Sequence, residues 1–208
     1  MLWHGFSFDF TERPQCERQL QDAAATDFLT GLPNRRDLMT CMEQELLRLR
    51  RDDQASAVVL MFDLDYFKSI NDTHGHAVGD EVLKYFSSVL RQELRKVDAV
   101  GRIGGEEFAV VLSDAGGEAA HGFAQRVRAR LASAPVWHEG RAIAVTVSSG
   151  VAVMRADDSS VTSSLSRADA ALYRAKQSGR DCIAFAPGSA PDSFDAPAVA
   201  AGAIDCAG

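Results

Sequence analysis

The stretch RIGGEEFAVVL, residues 102–112, places two glycines and two glutamates directly before an apolar run of strand length. A Gly-Gly pair between two strand-like segments is typical of a β-hairpin turn, because both central positions of such a turn need a positive φ. Adjacent carboxylates at the mouth of a buried strand repel each other and resist the loss of water, so Glu106 and Glu107 indicate a positively charged ligand. The stretch therefore predicts a hairpin whose turn carries chemistry.

Helical and strand-like patterns alternate on both sides of this hairpin. Apolar residues at helical spacing predict a helix capped by Asn34 and running to about Arg51, and further helices over about 79–96, 117–133 and 162–178. Strands are predicted at 57–62, 99–103, 106–112, near 135–138, at 142–154 and at 182–185. This order predicts an α/β (α+β) sandwich with a mixed central sheet.

Four acidic side chains are expected to meet at one edge of this sheet. The strand at 57–62 ends in an Asp-Leu-Asp triplet, and a helical crossover makes it parallel to the strand before the glycine turn. Ligands of open α/β sheets bind at the carboxyl ends of such strands. The four acids are Asp63, Asp65, Glu106 and Glu107. Their convergence indicates an oxygen-liganded Mg²⁺ or Mn²⁺ rather than solvated turn residues.

The segment at 62–83, FDLDYFKSINDTHGHAVGDEVL, is polar, charged and rich in glycine. Next to a metal, such a segment indicates phosphate binding through backbone N–H groups, with Lys68 as an added charge. It lacks the glycine and glutamate of a calcium loop, and it is not a Walker A loop. His74 and His76 suggest zinc, but without a third ligand ordinary loop histidines are the more common interpretation.

The composition excludes several classes of protein. A net charge of −7 argues against a general nucleic-acid binder, which would carry a basic face. No apolar stretch approaches membrane-spanning length and no secretion signal is visible, so we expect a cytoplasmic protein without a membrane segment. The cysteines at positions 16, 41, 182 and 206 are far apart in sequence, and we expect them to be free thiols in a reducing compartment.

The chain divides into three parts. Residues 1–26 are expected to be a linker that includes a short polar helix over 15–26, and residues 27–187 form the predicted domain. Residues 188–208 are rich in Ala, Pro, Gly and Asp without a helical or strand period, so they are expected to be a flexible tail.

The motif GGEEF at 104–108 resembles the signature of the GGDEF family, the diguanylate cyclases. The segments at 27–36 (DFLTGLPNRR), 62–83 and 168–181 (ADAALYRAKQSGRD) resemble its other motifs in the same order. The resemblance implies a βααββαβ core like that of nucleotide cyclases and polymerase palm domains. It also implies condensation of two GTP into cyclic di-GMP and two pyrophosphates, with two Mg²⁺ or Mn²⁺ per half-site. Because one domain of this family holds one GTP, a homodimer is implied.

The same resemblance implies roles for individual residues. The metal ligands are Asp63, the backbone carbonyl of Leu64, and Glu106. The catalytic groups are Glu106, which would deprotonate the attacking 3′-hydroxyl, and Lys68, which would stabilise charge on the transferring phosphate. The substrate-binding positions are Phe67, Asn71, His76, Asp80, Lys176 and Arg180. Within this set Asn71 and Asp80 match the guanine-reading pair, and Lys176 and Arg180 match groups on the terminal phosphates. Glu107, as support for a second metal ion, and Asp65 are further candidates.

Two of these assignments have an ordinary structural alternative. Lys176 and Arg180 near a helix end also complement the helix dipole, worth about 0.3–1 kcal/mol. Arg95 and Asp98 form an RxxD pair where this family carries its inhibitory product site, and such a pair can bind guanine edges and phosphate. The alternative for this pair is a surface ion pair worth about 0.2–0.5 kcal/mol.

The N-terminal segment and the activity of the whole protein each admit more than one interpretation. Residues 5–35 resemble the last strand of a PAS sensor domain followed by a linker helix, and an unrelated leader carries equal weight. A module that holds GTP or cyclic di-GMP without turnover is the main competing function. A cyclase acting on a single ATP is a second competing function, which Asn71 and Asp80 disfavour.

Overall fold

The structure is a computed structural model that describes residues 25–192 and 202–206. Its helices in these ranges are α1 (Arg35–Leu49), α2 (Phe67–His74), α3 (His76–Glu93), α4 (Gly117–Ser133) and α5 (Val161–Gln177). Its strands there are β1 (Ala57–Leu64), β2 (Ala99–Gly104), β3 (Glu107–Ser113), β4 (Val136–His138), β5 (Arg141–Ile143), β6 (Val147–Val153), β7 (Cys182–Phe185) and β8 (Ile204–Cys206). The PAS-like segment and nearly all of the helix predicted over 15–26 lie outside the described residues.

A mixed six-stranded sheet in the order β2-β3-β1-β6-β7-β8 forms the centre of the fold, and β4 and β5 form a separate two-stranded sheet. In the central sheet β6 and β7 are parallel, and the other neighbours are antiparallel. Strands β1 and β2 run in the same direction, as predicted, but β3 lies between them because the hairpin folds back onto β1. The register pairs Asp63 with Glu107, so the hairpin turn lies beside the end of β1. The predicted α/β class and mixed sheet are confirmed.

Local sequence explains where the helices begin and end. The side chain of Asn34 accepts a hydrogen bond from the backbone N–H of Asp37 and caps α1, as predicted. Gly75, with a φ of 86°, separates α2 from α3, so the helix predicted over 79–96 starts earlier, at His76, and ends at Glu93. Within the described ranges, no helix combines the length and apolar character needed to cross a bilayer.

Helices cover both faces of the sheet and bury two apolar layers. One layer contains a set of edge-to-face phenylalanines, with ring centroids 6.0 Å apart for Phe62 and Phe86 and 4.9 Å apart for Phe86 and Phe108. The other layer packs α1 and α5 against the opposite face. Since all of β1 is buried, its last residues are held between these two layers. Aromatic and aliphatic burial on this scale is the main favourable term in the stability of the domain.

Two expectations about the C-terminal part of the chain are wrong. Cys182 and Cys206 form a disulfide rather than free thiols, because β8 pairs antiparallel with β7 and brings their Cα atoms to 4.1 Å. Part of the expected tail is also ordered, since β8 covers what would be the open edge of β7. Ser189 is buried and accepts a hydrogen bond from the backbone N–H of Val153 at 3.0 Å. Cys41 keeps a free thiol, and Cys16 lies outside the described residues.

Gly150 on β6 allows α5 to cross the sheet closely. A Cβ atom at this position would lie 2.1 Å from the carbonyl oxygen of Ala168 and 2.2 Å from the backbone nitrogen of Leu172. We expect Gly150→Ala to lower the free energy of unfolding by about 1–3 kcal/mol, because an overpacked core must shift its backbone. Urea denaturation followed by circular dichroism measures the change.

The matched control is Gly122→Ala in α4, where the new Cβ would meet only the Arg126 guanidinium, at 3.5 Å. This variant should be unchanged or more stable by up to about 1 kcal/mol, because alanine favours a helix over glycine. Equal denaturation midpoints for the two variants would contradict the close packing of α5 on β6.

Candidate functional site

The end of β1 carries a buried carboxylate, Asp63, that is 5% exposed. Glu107 lies opposite it in the β1–β3 register, and the carbonyl oxygen of Glu106 accepts a hydrogen bond from the backbone N–H of Leu64 at 3.4 Å. Burial raises the pKa of Asp63, and the negative charges of Glu106 and Glu107 raise it further, although Lys176 opposes them. The predicted meeting of these three acids at one edge of the sheet is therefore what the structure shows.

Lys176, in the last turn of α5, compensates this charge. Its Nζ lies 2.7 Å from Oδ2 of Asp63, and both side chains are largely shielded from water. The contact joins the last turn of α5 to the end of β1, so it is more than complementation of the helix dipole. Lys176 therefore lies at the carboxylate that the family resemblance assigns to metal binding, and it supplies a positive charge there.

The oxygen atoms at this edge fit a magnesium ion better than a metal held only by side chains. Among the residues that the structure describes, no three His, Cys, Asp or Glu side chains are arranged to hold a metal ion. Mg²⁺ usually binds one or two carboxylates and completes its shell with water and substrate phosphates. Asp63, Glu106 and the carbonyl of Leu64, the ligands that the family resemblance implies, would be a donor set of this chemical type. Burial, followed by the nearby charges of Glu106 and Glu107, keeps the pKa of Asp63 raised despite the contact with Lys176.

Asp65 has a different environment from the other three acids. Its Oδ1 accepts a hydrogen bond from Ser148 Oγ at 2.7 Å, and its Oδ2 accepts from Thr146 Oγ1 at 2.9 Å and from the backbone N–H of Asp181 at 3.0 Å. These donors satisfy a carboxylate that is 3% exposed. Asp65 therefore anchors the segment after α5 to the end of β1. Sequence reasoning missed Thr146 and Ser148, since no local spacing marks them.

The polar segment after β1 forms α2 and α3, and Asn71 lies on α2 where it packs against α3. A Cβ atom on Gly79 would lie 1.9 Å from Oδ1 of Asn71, so the missing side chain at position 79 makes room for this amide. Phe67 is buried beneath the segment, whereas Lys68 and His76 are exposed on it. The segment is therefore held by a buried apolar side chain and exposes polar side chains to solvent.

An open cleft of about 550 Å³ lies between this segment and the glycine turn. Asp80 lines it together with Gly104 and Gly105, so one predicted guanine reader lies in the same cleft as the glycine turn. The cleft is also lined by Phe28 and the two arginines at 35 and 36, to which sequence reasoning gave no role. Phe28 is 98% exposed, which is unusual for an aromatic side chain on a packed turn.

Arg102 holds the glycine turn in place. Its Nη1 donates to both carboxylate oxygens of Asp27 at 3.1 Å, and its Nε and Nη2 donate to the carbonyl oxygen of Gly105 at 2.9 and 2.7 Å. Burial alone would raise the pKa of Asp27, but hydrogen bonds from Thr30 and Arg102 outweigh it and hold the pKa below its ordinary value. The guanidinium of Arg102 therefore connects the motif at 27–36 to the GGEEF motif at 104–108.

The segment after α5 places Arg180 against Tyr66. The guanidinium carbon lies 4.7 Å from the centroid of the Tyr66 ring, a cation–π contact. Gly179, Arg180 and Asp181 all have positive φ, at 119°, 66° and 45°. Arg128 pairs with Asp181 at 2.8 Å and helps to hold this conformation. Arg180 and Lys176 therefore lie at the same edge of the sheet as Asp63.

Arg95 and Asp98 contact each other in the turn between α3 and β2. Arg95 Nη2 lies 2.8 Å from Asp98 Oδ1 and also donates to the carbonyl oxygen of Ser113 at 2.8 Å. The side chain of Arg95 is about half exposed, at 55%, and Asp98 at 1% is not. The pair lines a small cavity of about 210 Å³ with Phe123 and Arg126. The ion pair is thus present, and its arginine is accessible to a ligand.

Comparison with known proteins gives one family. The family model described as "Diguanylate cyclase, GGDEF domain" matches residues 24–182. The chain is 42% identical over 163 residues to diguanylate cyclase DgcP of Pseudomonas aeruginosa, covering 78% of this chain and 24% of that protein. It is 35% identical over 175 residues to diguanylate cyclase A of Treponema denticola, covering 83% of this chain and 47% of that protein. The chain thus spans less than half of the length of either relative.

A solved structure supports the same assignment. The coiled coil and GGDEF domain of DgcB from Caulobacter crescentus, in complex with c-di-GMP, superposes with a TM-score of 0.79 and 29% identity. The match covers 85% of this chain and 93% of that chain. The region matched by the family model includes the sheet edge with Asp63, Glu106 and Lys176, because these residues lie within 24–182.

The pairing of Asp27 with Arg102 should make the free energy of unfolding depend on pH in the acidic range. Asp27→Asn removes the charge on which the guanidinium depends, and we expect it to lower the free energy of unfolding at pH 7 by about 1–3 kcal/mol. Because the folded-state pKa of Asp27 lies below 3.8, the ionised group stabilises the fold above that pH, and the contribution is lost as the pH falls through the folded-state pKa. The difference between the wild type and the variant should therefore shrink below about pH 3.8.

Guanidinium chloride denaturation between pH 3 and pH 7 measures this difference. Asp53→Asn, at an exposed position before β1, is the matched control and should follow the wild type throughout. A stability difference that stays constant across this pH range would contradict the role assigned to the Asp27 charge.

Proposed function

The chain belongs to the GGDEF family of diguanylate cyclases, and we propose that it condenses two GTP molecules into cyclic di-GMP with release of two pyrophosphates. The observation that carries the proposal is the meeting of Asp63 and Glu106 beside a cleft that Asp80 and the glycine turn line. Carboxylate and carbonyl oxygens next to a nucleotide-sized cleft suit phosphoryl chemistry. Burial raises the pKa of Asp63, and titratable groups with shifted pKa values in a cleft are typical of functional sites.

In this proposal Glu106 accepts the proton of the attacking 3′-hydroxyl, because it lies at the turn where the reacting ends of two nucleotides would meet. Asp63, Glu106 and the carbonyl of Leu64 would hold Mg²⁺ or Mn²⁺, which when bound supplies positive charge to the attacking and leaving oxygens. Lys68, exposed on α2, stabilises charge on the transferring phosphate. Glu107 would support a second metal ion.

The remaining positions bind the nucleotide. Asn71 and Asp80 read the guanine edge, and an adenine leaves such groups without partners, so ATP is a poor substrate. Phe67 and His76 shape the segment that carries this pair. Lys176 and Arg180 bind the terminal phosphates, since both cations lie at the edge that holds Asp63.

The reaction requires two copies of this chain. One domain presents one cleft at the glycine turn, and each product molecule needs two nucleotides whose reactive ends face each other. We therefore propose a homodimer in which two half-sites meet, and specific activity should rise with protein concentration. A cytoplasmic location, where GTP is available, stays a prediction.

Incubation with GTP and Mg²⁺, followed by chromatography of the nucleotides, tests the proposal. The wild type should form cyclic di-GMP, and Glu106→Ala should lower the rate by about 100-fold or more, because a positioned general base contributes that much. Glu43→Ala, at an exposed position on α1, is the control and should keep full activity. Thermal denaturation checks that both variants fold. A wild type that binds GTP but forms no product would favour a binding module without turnover.

Product inhibition through Arg95 and Asp98 is the second testable part of the proposal. A guanine edge or phosphate can exchange with the existing ion pair, because the Arg95 guanidinium is already half exposed. We expect cyclic di-GMP to bind with a Kd in the low micromolar range, roughly −8 kcal/mol. Arg95→Ala should relieve inhibition without lowering the initial rate, whereas Arg51→Ala, an exposed control, should be inhibited like the wild type. Equal inhibition of all three proteins would leave only a surface ion pair.

A further inference from the structure

The disulfide between Cys182 and Cys206 joins the matched domain to a strand beyond it. The family model ends at residue 182, whereas β8 lies at Ile204–Cys206. The cross-link therefore fastens a segment outside the family match to the first residue of β7. Cys182 is fully buried, and Cys206 is at an exposed position on the edge strand.

Non-covalent contacts also hold β8 against the domain. The carboxylate of Asp205 lies 2.7 Å from Nε2 of His121 and accepts a hydrogen bond from Nε2 of Gln125 at 3.1 Å, both on α4. The backbone N–H of Phe185 donates to the carbonyl oxygen of Ala203 at 2.7 Å. Since these contacts do not need the disulfide, the strand can keep its place when the sulfur–sulfur bond opens.

The disulfide lies directly against the segment 178–181, which we call the phosphate loop. Sγ of Cys182 lies 2.8 Å from the carbonyl oxygen of Arg180, and Sγ of Cys206 lies 3.9 Å from that of Ser178. Two residues of the loop other than glycine have positive φ, a conformation that costs about 1–3 kcal/mol each and persists only when the surroundings enforce it. The cross-link is one of the restraints that enforce it.

We propose that Cys182 and Cys206 form a reversible thiol–disulfide pair that sets the affinity for GTP by restraining the phosphate loop. This inference rests on the proposed function, because it takes Arg180 in the loop as a ligand of the terminal phosphates. In the oxidised protein the loop is fixed at both ends, by α5 and by the cross-link. In the reduced protein its C-terminal end keeps β7 pairing, the bonds of Asp181 to Asp65 and Arg128, and the contact of Arg180 with Tyr66, but it loses its covalent restraint.

The redox step is an ordinary exchange with a low-molecular-weight disulfide such as oxidised glutathione. The thiolate of Cys206 attacks one sulfur of that disulfide, forms a mixed disulfide and releases one small thiolate. The thiolate of Cys182 then attacks the Cys206 sulfur and releases the second small thiolate. Two electrons pass from the protein dithiol to the small disulfide, and an excess of the small thiol reverses both steps. The exposed position of Cys206 makes it the sulfur that the small molecule reaches first.

The expected effect is on substrate binding rather than on the chemical step. If reduction lowers the population of the binding-competent loop to about one fifth, the apparent affinity falls about fivefold. We therefore expect the KM for GTP to rise about fivefold on reduction, with a smaller change in kcat. The reason is that Asp63 and Glu106 lie on β1 and the hairpin turn, which the cross-link does not touch.

The experiment compares the full chain equilibrated with oxidised and with reduced glutathione, with the redox state verified by alkylation and mass spectrometry. Initial rates give KM and kcat for GTP in each state. Hydrogen exchange of the Asp181 backbone amide, which donates to Asp65, reports on the phosphate loop without any nucleotide. We expect this amide to exchange faster in the reduced protein.

Cysteine variants complete the design. Cys206→Ser, on the edge strand, should match the reduced wild type in both buffers, and Cys182→Ala should do the same. Cys41→Ser, which removes the free thiol on α1, should respond to the buffers as the wild type does. Equal exchange rates in the two states, or an equal KM for GTP in an active protein, would overturn the inference. Absence of product in both states would overturn the proposed function alone, because amide exchange still reports on the loop.

Discussion

The burial of the Asp63 carboxylate beside two other acids is the constraint on which the rest of the structure depends. A carboxylate with little exposure and like-charged neighbours opposes folding unless a cation approaches it, and Lys176 is the cation that does so. That contact requires α5 to lie close to the sheet, which the bare backbone of Gly150 permits. The hairpin register, the packing of α5 and the position of the acids therefore depend on one another. Such a retained conflict is typical of functional sites, where stability is given up for chemistry.

The sequence was sufficient for most elements and for the edge at which the acids meet, but it did not predict α2, and it predicted one strand over 142–154 where the structure has β5 and β6. Helical spacing, the Asn34 cap and the Gly-Gly turn are local signals. The Asp-Leu-Asp triplet at the end of a buried strand indicates which end of the sheet carries Asp63. The contacts that complete the site have no such signal. Asp27 and Arg102 are 75 residues apart, and the attraction between two charges leaves no period in a sequence. Nothing in the spacing of Asp63 and Lys176 identifies them as partners either.

The two incorrect expectations have a common physical origin. β8 has three residues, too few for an alternating pattern, and it follows a stretch whose composition is that of a linker. The disulfide spans 24 residues and depends on the pairing of β7 with β8, so it could be inferred only after that pairing was known. Asp65 illustrates the same limit within the site. Its spacing from Asp63 suggested a shared ligand, but three donors from distant segments satisfy it instead.

The guanidinium of Arg102 also connects the start of the described domain to the glycine turn. The chain enters the described domain near Thr26, which bridges to Pro33, and the next residue, Asp27, is bound through Arg102 to the glycine turn. Asn34 also forms a backbone bridge with Arg102, so the segment after Thr26 and the glycine turn are both bonded to the same residue. A force that acts on the chain ahead of Thr26 therefore has a short path to the glycine turn, through the Asp27 carboxylate and the Arg102 guanidinium.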